Sequence, residues 1–377
     1  MLPDIPLFGS SAPAAVRRPI FEIAFGAGSS GGGLGGLASA AASAIGLSTG
    51  GEDPWKRSVA RIAIECGVAH EVGRAEITLA ADAHAPAVAL GDEGAIKLGY
   101  EDEGAATVYT GRIESIRRDG RGSLRIMVAN ASASLAALRL HQSFENQTAG
   151  EIVSELASQA SVTTGDVADG SDFAFLFIDD ARTAWQHIAR LARLNGFLAL
   201  VTPDNELDFK APGDGAPVQT FTWGVDILAL QRRETEAAFD AVTVAGEGAA
   251  GSDGAEAWNW LMKDPAAVSA SAGSGERSRV VIDRALRSAD AVQAAAQGLV
   301  DAAARAALTG TLQVPGAPAV VPGARVNVAG TPDGAMDGEL LVMRVRHTFD
   351  KRAGFRTRIE FAGSGGGGGG GLLGGLL

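Results

Sequence analysis

Cysteine is almost missing from this chain: Cys66 is the only one in 377 residues. An intrachain disulfide is therefore impossible, and a thiolate zinc cage has no ligand set. Cys66 falls in register with Ile62 and Ile64 and reads as a small buried hydrophobe. The five histidines, at 70, 84, 141, 187 and 347, fall at no metal-ligand spacing; His187 is expected on the polar side of its helix. Basic charge is in deficit as well. With 44 acidic against 32 basic residues the net charge is −12, and no basic stripe offsets it, which argues against a nucleic-acid binder. Gly-x-Ser-x-Gly, a phosphate-loop lysine motif and a Cys–His arrangement are lacking too. No catalytic constellation, cofactor site or metal site is read.

Glycine is abundant instead, at 51 residues. The uncharged stretch 26–51 is mostly Gly, Ala and Ser, and its large aliphatics Leu34, Leu37, Ile45 and Leu47 are too few for a spanning helix. Arg17-Arg18 before it and Ala38-Ser39-Ala40 within it have the look of a twin-arginine export signal, but Glu22 breaks the apolar region. The run Gly26-Ala27-Gly28-Ser29-Ser30-Gly31 matches the dinucleotide fingerprint, with Glu52-Asp53 about twenty residues on. Against it, the preceding strand carries Glu22, Glu52-Asp53 run into Pro54, and nothing downstream alternates β with α. A flexible insertion in a β domain is the plainer reading. At the other end, Gly363-Ser364 and seven glycines precede Leu372-Leu373-Gly374-Gly375-Leu376-Leu377. This tail reads as a flexible linker, or as a tether whose Leu372, Leu373, Leu376 and Leu377 contact a partner or a membrane.

Between these segments the order is strands, helices, strands. Residues 19–25, Ile62 to Cys66, Ile77 to Leu79, Ile96 to Tyr100 and Leu124 to Val128 alternate with period two, separated by turns at Gly91-Asp92 and Asp119-Gly120. Such a series predicts an antiparallel barrel or sandwich. The run Leu140 to Val153 opens a helix, with Thr148 and Glu151 at capping-box spacing and Ile152, Val153, Leu156 and Ala160 in one stripe. A second helix follows Asp179-Asp180, with Trp185, Ile188, Ala189 and Ala192 on its apolar face and Gly196 placed for a left-handed cap. A hairpin follows over Phe197 to Phe209. Short strands then resume at 226–232, 241–245, 279–282, 310–314, 325–329 and 355–361, interrupted by a helix over 288–304. The carboxylate groups Asp179-Asp180 and Glu101-Asp102-Glu103 read as a helix cap and a solvated turn rather than as acid–base pairs.

The fold class is thus mainly β (α+β): two antiparallel β domains, each a barrel or sandwich, flanking a small helix-hairpin domain. The expected bounds are 1–139 for the first barrel with its insertion at 26–51, 140–215 for the small domain, 216–363 for the second barrel with its helix near 288–304, and 364–377 for the tail.

The order of parts resembles that of the phage late control D family, the hub proteins of contractile tails, which also correspond to the hub portion of type VI secretion VgrG proteins. The matching runs are Arg18-Pro19-Ile20-Phe21-Glu22-Ile23, Ile96-Lys97-Leu98-Gly99-Tyr100, Tyr109-Thr110-Gly111-Arg112-Ile113, Ser143-Phe144 through Ile152-Val153, and Trp185 through Gly196 with the hairpin ending Leu207-Asp208-Phe209. They cover about residues 18–212; beyond that, only the order of elements corresponds. The resemblance implies a structural baseplate protein without enzymatic activity. It would form a homotrimer whose two tail-tube-like antiparallel β-barrel domains per chain make a ring of six. That ring would join the tail tube protein to a central spike protein, beside the tape-measure and other baseplate proteins, with DNA or cargo passing the channel unbound. It also implies a place in a virion or injection particle assembled in the bacterial cytoplasm. The chain departs from the pattern in the long 26–51 insertion, the lack of a spike domain after Phe361, and the Gly-Leu tail. A dinucleotide-binding enzyme using Gly26–Gly31, or a β-rich binding or adhesion module, are the alternatives.

Overall fold

The computed structural model describes residues 17–25, 53–82, 85–213, 215–246, 268–332 and 334–364. With 47% strand against 18% helix it belongs to the mainly β, α+β class that the period-two runs predict. The first part holds β1 (Pro19–Phe25), α1 (Pro54–Ser58), β2 (Val59–Gly67), β3 (Arg74–Leu79), β4 (Glu93–Tyr100), β5 (Gly104–Arg118) and β6 (Leu124–Ala129). These strands lie in the order β1-β4-β5-β6-β3-β2, each pair antiparallel. Alternation turns Phe21, Ile23 and Phe25 into the core and leaves Glu22 outside, 3.7 Å from Lys97 on the neighbouring strand. Ile62, Ile64, Ile77, Leu79, Ile96, Leu98 and Ile126 are fully buried in that core. Each such side chain contributes about 1.5–3 kcal/mol.

The middle part holds α2 (Ala131–Ala137), β7 (Gln142–Thr148), α3 (Ala149–Gln159), β8 (Thr164–Val167), β9 (Asp172–Ile178), α4 (Ala184–Asn195), β10 (Leu198–Val201) and β11 (Leu207–Lys210). The run from Leu140 is not helical at its start: Gln142–Thr148 pairs antiparallel with β9, and the helix begins only at Ala149. The capping box marks that start. Thr148 Oγ1 accepts from the Glu151 amide at 3.1 Å, and Glu151 Oε2 accepts from the Thr148 amide at 2.8 Å. Before α4, the cap is Thr183 with Gln186, not Asp179-Asp180, which lie a turn upstream. Gly196 closes this helix in the left-handed region, at φ 67°. His187 faces inward rather than toward solvent: it is buried, with Nε2 3.0 Å from the Asp179 carbonyl. That hydrogen bond gives one ring nitrogen a partner inside, so the buried face of the helix is wider than its aliphatic residues suggest. β10 and β11 form the expected hairpin, and Asn205 in its turn accepts from the Ala131 amide at 2.7 Å, tying the turn to α2.

The last part holds β12 (Gln219–Thr222), β13 (Ala229–Glu234), β14 (Ala241–Ala245), β15 (Ser269–Gly273), β16 (Ser278–Ile282), α5 (Ala289–Ala306), β17 (Leu308–Pro315), β18 (Arg325–Ala329), β19 (Gly338–Asp350) and β20 (Gly354–Gly363). Five of its strands, β12, β13, β17, β18 and β20, join the large sheet through β19 and enclose a core of Phe221, Leu312, Val314, Val326, Ile359 and Phe361. Helix α5 and the three-stranded sheet β15-β14-β16 are different. Val242, Val244, Leu286, Val292, Ala295 and Ala296 share one continuous core with Ile152, Leu156, Trp185 and Ile188. Small residues allow this closeness. A Cβ on Gly298 would lie 2.6 Å from the backbone nitrogen of Gly196, so α5 rests directly on the C-terminal cap of α4. Arg190 on α4 adds a two-pronged ion pair to Asp283, at 2.6 and 2.7 Å.

The two outer parts are one sheet. β2 pairs antiparallel with β19, from Gly67–Arg344 to Arg61–Asp350. The β19–β20 hairpin then reaches past the seam: Val342, Val345, Ile359 and Phe361 lie in the second core, while Phe349 and Phe355 at its tip lie in the first. Phe349 meets Phe21 edge to face at 4.9 Å. At the seam Arg344 pairs with Glu71 and stands 3.6 Å from both Glu65 and Glu360.

The contact between α4 and α5 leaves no room for a side chain. Gly298→Val is expected to lower the unfolding free energy by roughly 2 kcal/mol in a urea titration, because backbone on both sides must give way. Gly120→Ala, in open space, is expected to leave the midpoint unchanged.

Candidate functional site

Among the described residues, a cluster of exposed apolar side chains runs from Val218 to Leu228. Its backbone is pinned: the Val218 and Trp223 amides donate to the Arg325 and Ala329 carbonyls, both at 2.9 Å, and the Leu228 amide donates to Gln313 at 2.8 Å. Phe221 turns into the core, yet Val218, Trp223, Val225 and Leu228 are 49%, 42%, 75% and 55% exposed. Apolar side chains held outward on a fixed backbone form a contact surface rather than a frayed end. Nearby edges are open as well. Among the described residues β12 pairs only with β18, β13 only with β17, and, at the far end of the sheet, β1 only with β4. Such edges offer unpaired backbone groups to another chain. A second exposed pair, Val280 and Ile282, stands on β16, which pairs only with β14. Sequence reasoning passed over the 218–228 patch. Phe221, Trp223, Val225 and Ile227 alternate with Thr222, Gly224 and Asp226 as in a half-buried strand, so the spacing does not tell the exposed Trp223 and Val225 from the buried Phe221.

The residues singled out from sequence come to little chemistry. Gly26–Gly31, Glu52, His84 and the tail leucines Leu372, Leu373, Leu376 and Leu377 lie outside the described residues, as do the whole insertion 26–51 and residues 365–377. The strand that would lead a dinucleotide loop, β1, runs antiparallel to β4, where a mononucleotide fold needs a parallel one. Asp53 caps α1, accepting from the Trp55 amide at 3.0 Å. Glu101, Asp102 and Glu103 form an exposed turn that meets Arg17 and Arg18. Cys66 is packed against the first core, and burial pushes its thiol up to about 12, which keeps it protonated and poorly nucleophilic at neutral pH. His141 stands 3.2 Å from Asp180, far from the buried His347. Among the described residues no three His, Cys, Asp or Glu side chains converge on a possible metal position, and no helix is long and apolar enough to cross a membrane.

Comparison with solved structures places this architecture in the fold of tail proteins. The 43 kDa tail protein of prophage MuSo2 from Shewanella oneidensis superposes with a TM-score of 0.62 at 15% identity, over 81% of this chain and 95% of that one. The tail protein from Neisseria meningitidis MC58 gives 0.62 at 16% identity, over 81% and 92%. An Escherichia coli component of the type VI secretion system, itself described as similar to bacteriophage T4 tail proteins, gives 0.53 at 11% identity, over 81% and 73%. At these identities the likeness is one of fold. The chain itself belongs to the Alg8 N-terminal domain family, whose model matches residues 58–351. No curated protein matches it.

His347 gives the fold a pH response. It is buried on β19, with Nδ1 3.0 Å from Thr357 Oγ1, which already accepts from the Ala317 amide at 2.9 Å. Burial holds its pKa down at about 4 against an ordinary 6.5. Below pH 6.5 the unfolded chain takes up a proton there that the folded chain refuses, so stability falls with falling pH until about 4. The loss expected from this group is roughly 3 kcal/mol between those limits. Urea midpoints at pH 7 and 4.5 measure it, and His347→Gln is expected to flatten that part of the profile.

Proposed function

We propose that this protein is a structural hub of a contractile tail or related injection particle, of the late control D kind. It forms a homotrimer, and each chain contributes two tube-like β modules, so that three copies present six. One side of that ring fits the six-fold tail tube protein and the other a three-fold central spike protein, with tape-measure and other baseplate proteins nearby. DNA or cargo passes through without a specific site, and no catalysis is assigned to the chain. The proposed modules lie within 1–139 and 216–363; of the latter, the part from 239 to 303 shares the core of the helix-hairpin part at 140–215.

The observation that carries this reading is the joining of two β modules, antiparallel but for β12 beside β18, into one sheet through β2 and β19. A single chain thereby holds two similar units in a fixed relation, which is what turns three-fold symmetry into near six-fold symmetry. The tail-protein fold supports it. So does the net charge of −12, which repels a passing polyanion overall. The exposed patch at Val218, Trp223, Val225 and Leu228 is assigned to contact with a second copy of the chain.

Light scattering is expected to give about three times 38.3 kDa, either for the protein alone or once tube and spike proteins are added. Replacing Trp223 and Val225 together by Asp is expected to shift that assembly to single chains by about tenfold or more in concentration, with the melting temperature of the chain little changed. A wild-type monomer under both conditions overturns the reading.

A further inference from the structure

A second feature lies away from the 218–228 patch. Where α4, α5, β10, β13 and the start of β17 meet, they leave an open cleft of about 770 Å³, within the range of roughly 300–1,000 Å³ that ligand sites occupy. Its floor is apolar, made by Ala189, Ala192, Phe197, Leu198 and Phe361. Arg193, Arg232, Arg233 and Arg305 stand around it.

Four guanidiniums in one cleft run against the composition of a chain with net charge −12. Arg232 is engaged: it pairs with Glu234 at 2.5 Å and donates to the Ala335 carbonyl at 2.7 Å. Its Nε is nevertheless buried without a partner. Arg193, Arg233 and Arg305 have no ion pair among the described residues. The carboxylate that lines the cleft, Glu360, lies 3.6 Å from Arg344 at the seam. Arg193 and Arg305 occupy the last turns of α4 and α5, where a cation also complements the helix dipole. That role accounts for one cation per helix. It does not account for Arg233, which comes from a strand and lines the same cleft. Arg305 is half-buried, and desolvation lowers its pKa. Asp301, one turn back on α5, offsets that cost only in part, and a carboxylate brought by a ligand would offset more of it.

We propose that this cleft receives a short peptide segment of a partner protein in which aromatic or aliphatic residues are flanked by carboxylates. The apolar floor takes the hydrophobic side chains, and Arg193, Arg233 and Arg305 take the acidic ones. The edge of β13, unpaired on the side away from β17 among the described residues, offers backbone groups to the bound segment. This assignment does not depend on the hub reading. A chain that fails to trimerise can still bind such a segment, and a trimer can lack the binding.

Selection of a displayed random heptapeptide library on the immobilised full-length protein tests the assignment. Enriched peptides are expected to combine at least two Asp or Glu with an aromatic or aliphatic residue. The best of them, made synthetically with a fluorescent label, is expected to bind saturably and to weaken with added salt. Arg193→Glu combined with Arg233→Glu alters two exposed side chains, so folding, followed by thermal melting, is expected to persist while affinity falls about tenfold or more. No enrichment, enrichment of neutral or basic peptides, or binding unchanged in the double variant would each overturn the proposal.

Discussion

The β19–β20 hairpin is the member on which the rest of this architecture hangs. Its inner half closes one hydrophobic core with Val342, Val345, Ile359 and Phe361, and its tip closes another with Phe349 and Phe355. Pairing β19 with β2 brings together residues about 280 positions apart in the chain. Closing a loop of that size costs about 5 kcal/mol beyond a constant, more than one buried phenylalanine returns. The ladder and both aromatic contacts must therefore be present together, and the two β parts are coupled through their shared strand. Arg344, drawn between Glu65, Glu71 and Glu360, sits where that coupling is made and keeps three carboxylates from repelling one another.

The middle of the molecule is held by a different device. Residues from 131 to 209 and from 239 to 303 bury their apolar faces in a single core, although the strands β12 and β13 of another core intervene in sequence. What permits this is local: a glycine cap on α4, a glycine on α5 opposite it, and the Arg190–Asp283 pair beside them. The cleft with the arginines opens beside this contact, between the last turns of the two helices and the second β part. Its shape thus follows from how α5 is seated.

Much of this was legible in the residues. Thr148 with Glu151, Gly196, and the alternation of Phe21 with Ile23 or of Phe355 with Ile359 are local signals, read correctly because the chemistry that fixes them lies within a few positions. Gln142–Thr148 was misread as helix because its sequence is polar and lacks alternation; its pairing with β9 is decided by a partner about 30 residues away. Asp179-Asp180 carry good capping side chains, but Thr183 is the one a Gln three residues on can complete. His187 was placed outside because imidazole is polar, whereas a single backbone carbonyl suffices to bury it. The exposed patch at Trp223 and the cleft at Arg193, Arg233 and Arg305 were invisible for a further reason. Exposure and convergence are properties of the assembled surface, and no spacing in the chain encodes them.

The hairpin also bears on how the molecule comes into being. Phe349 and Phe355 leave the ribosome long after β1 to β6, so the N-terminal sheet waits, with part of its interior uncovered, for β19 and β20 to arrive. Throughout synthesis Ile62, Ile64 and their neighbours need shelter from other nascent chains. A protein built in this order has one step, the arrival of β19 and β20, at which both outer interiors are sealed by the same two strands.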